Sequence, residues 1–257
     1  MIKKGKHQRD VWESFWTGRP IQEIYPTSER ILEQILALGP PAEKWIMEIG
    51  AGSGRDGLRL AKLGGRVIFL DYAQSSLKLI AESARKENVP VYLVRADAFH
   101  LPFRQGSLDL VYHQGLLEHF ERPEGIVSQI CDVLKSGGCT IADVPQTFHP
   151  YTLVKHILIA TNKWFAGWET EFTAGQLRRL HEKSGLVTLR IYGDWMRPSF
   201  FYRAVREALK KIGIVLPMYP PQMPLLHRIR QALRDSFRRL SAARMTFMDI
   251  GIVARKP

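Results

Sequence analysis

The sequence predicts an α/β fold, a doubly wound and mostly parallel sheet with helices on both faces. Three observations predict it. Short apolar runs alternate with helical periodicities from residue 45 to residue 144, the pattern expected when buried parallel strands are joined by helical crossovers. The first run, Trp45 to Ile49, leads directly into Gly50, Gly52 and Gly54 and then into a helical pattern. The 257 residues, 45% of them apolar, suffice for one substantial core with extensions.

Before the sheet, 11–16 and 28–38 read as helices. Ile31, Leu32, Ile35, Leu36 and Leu38 gather near one face of the second, and Pro40 and Pro41 end it. Residues 45–49 are the first strand. A helix at 55–63 follows, with Leu58, Leu60, Ala61 and Leu63 available for packing, then a strand at 67–70. The helix at 73–86 carries Leu77, Ile80, Ala81 and Ala84 at helical spacing. Strands at 91–94, 108–112 and 139–144 complete the alternation, with a helix at 124–134 between the last two. Right-handed crossovers set the strand C-termini along one edge, where ligands bind.

Beyond Val144 the regularity breaks. Residues 145–173 are aromatic-rich, with Phe148, Tyr151, Trp164, Phe165, Trp168 and Phe172. A helix at 173–184, with Thr173 as N-cap, precedes a strand at 187–192. Helices at 201–212 and 225–240, separated by the breaker run 217–224, and a strand at 246–254 finish the chain.

Composition narrows the function classes. Cys131 and Cys139 form no C-x-x-C and no His/Cys spacing suited to a metal. They read as small buried apolar residues of a reducing cytoplasm, and no metal is expected. The basic segment 1–10 is followed by no apolar signal sequence, and no stretch approaches the roughly 20 apolar residues of a membrane span. The net charge of +12 is uneven: residues 1–195 hold 24 Lys and Arg against 22 Asp and Glu, and 196–257 hold 13 against 3. The final quarter is therefore built for an anionic surface or partner.

The strongest local signal is M-E-I-G-A-G-S-G at 47–54. Glycines let the chain turn sharply and come close to a ligand, and free N–H groups at the following helix start then face it. Asp71 lies 21 residues after Gly50, at the end of the next strand, where a carboxylate accepts from ribose hydroxyls. Gly52, Gly54 and Gly57 also satisfy G-x-G-x-x-G, so a dinucleotide and an oxidoreductase remain open on the pattern alone. Glu48, at a buried strand end, needs a partner, which a cationic amino-acid moiety would supply directly or through water.

Five segments in order resemble the class I S-adenosylmethionine-dependent methyltransferases, most closely the type-11 group that includes the ubiquinone and menaquinone biosynthesis enzymes. M-E-I-G-A-G-S-G is similar to the family's first motif and F-L-D-Y-A at 69–73 to its second. A-D-A-F-H-L-P-F at 96–103 is similar to the adenine loop, S-L-D-L-V-Y at 107–112 to the fourth motif, and L-K-S-G-G at 134–138 to the turn before the fifth strand. The resemblance implies a Rossmann-like, seven-stranded sheet whose last strand is antiparallel, with helical insertions after strands 5 and 6. It implies S-adenosylmethionine as cofactor and S-adenosylhomocysteine as product. Carried over by position, Glu48, Gly50, Ala51, Gly52 and Gly54 hold the amino-acid end, and Asp71 the ribose. Asp97 accepts from the adenine amino group or caps a turn, and the Ala98 N–H faces the ring. Tyr72 lies along the adenine or ribose or covers the sheet edge. Asp109 supports the end of the fourth strand. His113 and Gln114 face cofactor or acceptor.

Methyl transfer from a sulfonium suits an apolar, water-poor pocket and needs a base only if the acceptor must lose a proton. His113 is the candidate base. Glu118 and His119 read as capping or solvating a short helix, and His149 is a candidate at the pocket edge. D-L-V-Y, in place of the D-P-P-Y of many nucleic-acid and protein amino-methylating enzymes, argues against nucleic acid. RNA or protein methylation and a non-catalytic binding module are the alternatives. In domain terms, 1–41 are N-terminal helices and 42–145 the cofactor core. Residues 146–172 form an acceptor lid, 173–195 and 244–257 the rest of the sheet, and 196–243 a basic helical insertion. Trp12, Phe15, Trp16 and Tyr25 cover the cofactor from one side. Leu226, Ile229, Leu233, Phe237 and Leu240 form one stripe amid Arg228, Arg230, Arg234, Arg238 and Arg239. Phe201, Val205, Ala208 and Ile212 form another amid Arg203, Arg206, Lys210 and Lys211. Each stripe packs on the protein, lies on an anionic membrane, or belongs to a surface for nucleic acid or another acidic partner. The acceptor is a small or lipid-linked molecule, and the location is cytoplasmic or at a membrane surface.

Overall fold

A computed structural model describes residues 6–17, 29–164, 166, 168–195, 198–220, 232–233, 236–237 and 245–257. Seven strands form one sheet: β1 (Trp45–Ile49), β2 (Arg66–Asp71), β3 (Tyr92–Arg95), β4 (Leu108–Gln114), β5 (Leu134–Pro145), β6 (Val187–Asp194) and β7 (Asp249–Arg255), in the order β3-β2-β1-β4-β5-β7-β6. The first five strands are parallel, and β7 runs antiparallel to both β5 and β6. This is the expected seven-stranded sheet, with its order reversing at β1/β4. Crevices at such reversals are where ligands bind in open α/β sheets.

Among the described residues eight helices accompany it: α1 (Lys6–Trp16), α2 (Arg30–Leu36), α3 (Arg55–Lys62), α4 (Gln74–Glu87), α5 (Glu124–Val133), α6 (Pro150–Ala160), α7 (Ala174–Lys183) and α8 (Phe200–Lys210). Strand alternation sorts the core into two layers. Ile46, Val67, Phe69, Leu110 and Ile141 pack with α2, α3 and α4 on one face. Met47, Ile68, Leu70, Val111, Ala142 and Ile252 pack with α5 and α7 on the other.

Several elements depart from the sequence pattern, each for a physical reason. β5 starts at Leu134, which pairs Leu108, and the pairing resumes at Cys139 with Leu110. The K-S-G-G turn is therefore looped out of the strand, with Gly137 in the left-handed region. The proline-led helix α6 lies in the segment read as irregular. His149, placed at the pocket edge by sequence, is its N-cap, its ring Nδ1 accepting from the Tyr151 N–H at 3.1 Å. Thr173 caps α7 as expected, in a reciprocal capping box with Gln176. Cys139 is buried but Cys131 is only partly so. Asp109 supports its strand end, accepting from the Trp45 N–H at 2.8 Å and from Lys135 at 2.7 Å.

Buried ionic pairs tie the N-terminal segment to the far half of the sheet. Arg30, at the start of α2, bonds to Asp143 of β5 and pairs with Asp249 of β7 at 3.0 Å; the Tyr192 hydroxyl of β6 donates to Asp143. Breaking one partner of such a pair costs about 3–5 kcal/mol, because the other charge stays buried. Tyr25, Phe165, most of the 225–240 helix and residue 244 lie outside the described residues. So do Leu226, Ile229, Leu240 and the arginines at 228, 230, 234, 238 and 239. Among the described residues no helix is long and apolar enough to cross a membrane.

Candidate active site

The sheet order lines up four strand tips along one edge: Asp97 just past β3, Asp71 at β2, Gly50 after β1 and Gln114 at β4. Gly50, Gly52 and Gly54 all have left-handed φ, at 64°, 53° and 65°, a region that costs other residues about 1–2 kcal/mol each. A β-carbon on Gly52 would lie 2.6 Å from the Trp16 ring. Trp16 thus forms a wall of the loop, and α1 spans the edge. Glu13 accepts from the N–H groups of Gln74 and Ser75 at 2.8 and 3.0 Å, at the start of α4. Trp12 meets His119 edge to face with ring centroids 5.0 Å apart. The N-terminal aromatics therefore cover this edge.

Asp71 is buried and braces the loop. Its Oδ1 accepts from the Ala73 N–H at 2.9 Å, and its Oδ2 from the Gly52 N–H at 3.1 Å and the Ser76 hydroxyl at 3.0 Å. Burial pushes its pKa up, and the N–H groups of Ala73, Gly52 and Tyr72 and the Ser76 hydroxyl oppose that shift. Ser76, which also donates to the Gly52 carbonyl at 2.7 Å, and Glu13 escaped the sequence reading. Their contacts follow only once α1 and α4 are placed.

Glu48 has a partner other than a ligand. The Tyr112 hydroxyl donates to its Oε2 at 2.8 Å, across the β1–β4 pairing that sets Glu48 opposite Tyr112. Burial and then the nearby Asp56 push the carboxyl up to about 8, against the Tyr112 bond, Arg55 and the Gly57 N–H. Asp97 accepts on its side chain from the Phe99 N–H at 3.0 Å and on its carbonyl from the His100 N–H at 2.9 Å, closing a turn that exposes this tip. Ala98 is buried within that turn, Tyr72 is partly buried beside β2, and Ala51 is buried in the loop.

His113 needs a correction. Its register opposite Ile49 and Ala142 turns the ring to the α5/α7 face, away from Glu48. It is wholly buried, neither ring nitrogen has a hydrogen-bond partner among the described residues, and burial together with the nearby His181 lowers its pKa to about 3. The ring thus lies within the core beside His181. Gln114 holds the strand tip, partly buried.

Glu118 and His119 are a second correction. They lie on a 3-10 turn, buried instead of solvated. They face a charged cluster from α6 and the strap after it: Lys155 pairs with Glu169 at 3.0 Å and Glu171 at 2.7 Å, and His119 stands 4.0 Å from Glu169. The strap is tied to the turn by the Thr170 N–H donating to the Glu118 carbonyl at 2.9 Å. The Glu118 Oε2 has no partner among the described residues, and burial and then Glu169 hold the carboxyl well above its usual range. A cleft of about 420 Å³ between this strap and α7 is lined by Phe120, Trp168, Phe172, Arg179 and Lys183. No glycine-loop residue borders it. Among the described residues no group of three or more His, Cys, Asp and Glu is arranged to hold a metal.

Residues 47–142 match the Methyltransferase domain family. An uncharacterised chloroplastic methyltransferase of Arabidopsis thaliana is 32% identical over 154 residues, which is 55% of this chain and 43% of that protein. A ubiquinone biosynthesis O-methyltransferase of Cupriavidus pinatubonensis is 24% identical over 203 residues, 76% of this chain and 80% of that protein. The chain spans less than half the length of the first curated relatives it matches. The crystal structure of magnesium protoporphyrin IX methyltransferase from Synechocystis PCC 6803 with bound S-adenosylhomocysteine superposes with a TM-score of 0.62 at 13% identity, covering 98% of this chain and 95% of that one. That likeness is one of fold.

Proposed function

We propose that this chain, whose residues 47–142 match the Methyltransferase domain family, is an S-adenosylmethionine-dependent methyltransferase that transfers a methyl group to a small or lipid-linked acceptor by in-line displacement, releasing S-adenosylhomocysteine. The observation that carries the reading is the bonded pair of Gly52 and Asp71 in a row of tips running from Asp97 to Gln114. Bound S-adenosylmethionine supplies a methyl already activated by its sulfonium charge. The chain's part is to grip, orient and keep water out.

In this reading Gly50, Ala51, Gly52 and Gly54 present main-chain amides to the amino-acid end, and Glu48 takes its ammonium. Asp71 braces the loop and meets the ribose, Tyr72 and Ala98 border the adenine, and Asp97 meets the purine edge. Gln114 closes the β4 side. Glu118, whose buried Oε2 has no partner among the described residues, is the candidate to take an acceptor proton when ionised. The segment 146–172 serves as acceptor lid. Residues 196–243, within the strongly basic final quarter, dock on an anionic membrane surface. The outward Leu233 and Phe237 of that segment support the docking.

Methyl-labelled donor incubated with the chain and a total cell extract, then fractionated, tests the acceptor class. Label is expected in the lipid or small-molecule fraction. Label confined to protein or RNA would overturn it.

A further inference from the structure

Helix α6 is largely inside out. Two of its polar residues face the protein: the Thr152 hydroxyl donates to the Gln146 carbonyl at 2.9 Å, and buried Lys155 reaches Glu169 and Glu171, while His156 is exposed and pairs with Glu171. Its apolar residues face outward, Leu153 at 69% exposure and Ile157 at 57%, with Phe148 just ahead of the helix at 58%. Surface helices of water-soluble domains turn the opposite way, and an ordered apolar face of this kind marks contact with something other than water. The neighbouring helix repeats the theme. Tyr151 of α6 lies within the field of Arg203 on α8. Phe201 of α8 and Ile212 just beyond it are 77% and 70% exposed, with Lys210 and Lys211 exposed beside them.

We propose that α6 and Phe148 form a membrane-insertion face, their apolar side chains entering the acyl boundary of an anionic bilayer while the lysines at the end of α8 meet its headgroups. This rests on the reading of 196–243 as a basic docking segment and adds the element that enters the lipid. Charge complementarity selects the occupant. A segment with 10 basic residues against 2 acidic favours an anionic surface, whereas a second copy would bring like charge against like. Each buried CH₂ contributes about 0.8 kcal/mol, so several aliphatic side chains add substantially to what the basic residues supply. The inward face of the same helix carries Lys155, so docking also fixes the lid over Glu118.

Sedimentation of the full chain with phosphatidylcholine vesicles, with and without phosphatidylglycerol, tests this. Wild type is expected to bind the anionic vesicles. Leu153→Glu/Ile157→Glu should lower that partitioning by about tenfold or more, with unfolding midpoint and S-adenosylhomocysteine affinity unchanged. Lys210→Glu/Lys211→Glu should lower it by about tenfold. If the lysine variant loses binding and the α6 variant does not, the insertion face is wrong and the basic docking segment stands. Wild type binding neither vesicle overturns both. A wild-type dimer made monomeric by the α6 change would give the face to a second copy and overturn the proposal. Should the double variant fail to fold, Leu153→Trp provides the readout: a blue shift of its emission on anionic vesicles supports insertion, and an unchanged spectrum overturns it.

Discussion

The two ends of the sheet edge bury polar groups in opposite ways. Over β1 and β2 the Asp71 carboxylate and the main-chain amides and Ser76 hydroxyl of residues 50–76 satisfy one another. Over β4 and β5 they are long charged side chains from widely separated segments, Glu118, Lys155, Glu169 and Glu171, and one Glu118 oxygen stays without a partner among the described residues. The first end is a finished scaffold needing only its ligand. The second is polar within and apolar without, which suits a lid whose outer surface meets another phase. A local hydrogen-bonded loop makes rigidity cheaply, whereas a charge cluster assembled over distance makes a site that a partner can reset.

The largest effect should fall on the charged cluster beneath α6. Lys155→Met leaves Glu169 and Glu171 buried without their shared cation, and urea unfolding should show a loss of about 3–5 kcal/mol. Asp71→Asn is next. It replaces an acceptor by a donor opposite the Gly52 and Ala73 amides and should weaken S-adenosylhomocysteine binding by roughly 1–3 kcal/mol, about 10- to 100-fold by calorimetry. An unchanged affinity would make the two ends alike in depending on no single carboxylate.

A smaller effect should appear as pH dependence at Glu48. Its folded-state carboxyl titrates near 8 against an ordinary 4.5. Between those values the folded chain holds a proton that the unfolded chain has released, so this group's contribution to stability falls as pH rises from about 4.5 to about 8. An ammonium partner needs the ionised form, so cofactor affinity should rise over pH 6–8. Glu48→Gln should flatten both trends, and a flat wild-type profile would remove the carboxyl from the amino-acid pocket. The smallest effect on turnover is expected at His113, whose replacement by Leu should leave the pH profile of kcat in place. His113 and His181 are depressed to about 3 and about 4, so the stability they allow at neutral pH is lost as pH falls from about 6.5. His113→Leu should therefore lessen acid lability in a pH-titrated melt.

The difference between the ends also explains what could be read in advance. β1 lay at its observed bounds and Asp71 at its strand end, because glycine spacing and apolar runs are local signals. The partners of those residues were less legible. Tyr112 belongs to Glu48 only through the β1–β4 register, and Glu13 reaches α4 across about 60 residues. His113 went astray because its place at a strand tip says nothing about which face its ring takes. α6 was missed since its polarity is reversed and its outward apolar residues merged with the aromatics around them. Glu118 and His119 were taken for surface groups because Glu169 and Lys155, which enclose them, are distant in sequence.

Calorimetric titration of the full chain with S-adenosylhomocysteine, beside NADPH and beside a Gly52→Val variant, tests the central claim most directly. The row of tips predicts saturable binding of S-adenosylhomocysteine, no binding of NADPH, and a loss of at least about 100-fold in the variant, where a side chain meets both a left-handed backbone and the Trp16 ring. Binding of NADPH alone, or equal binding by the variant, would contradict it.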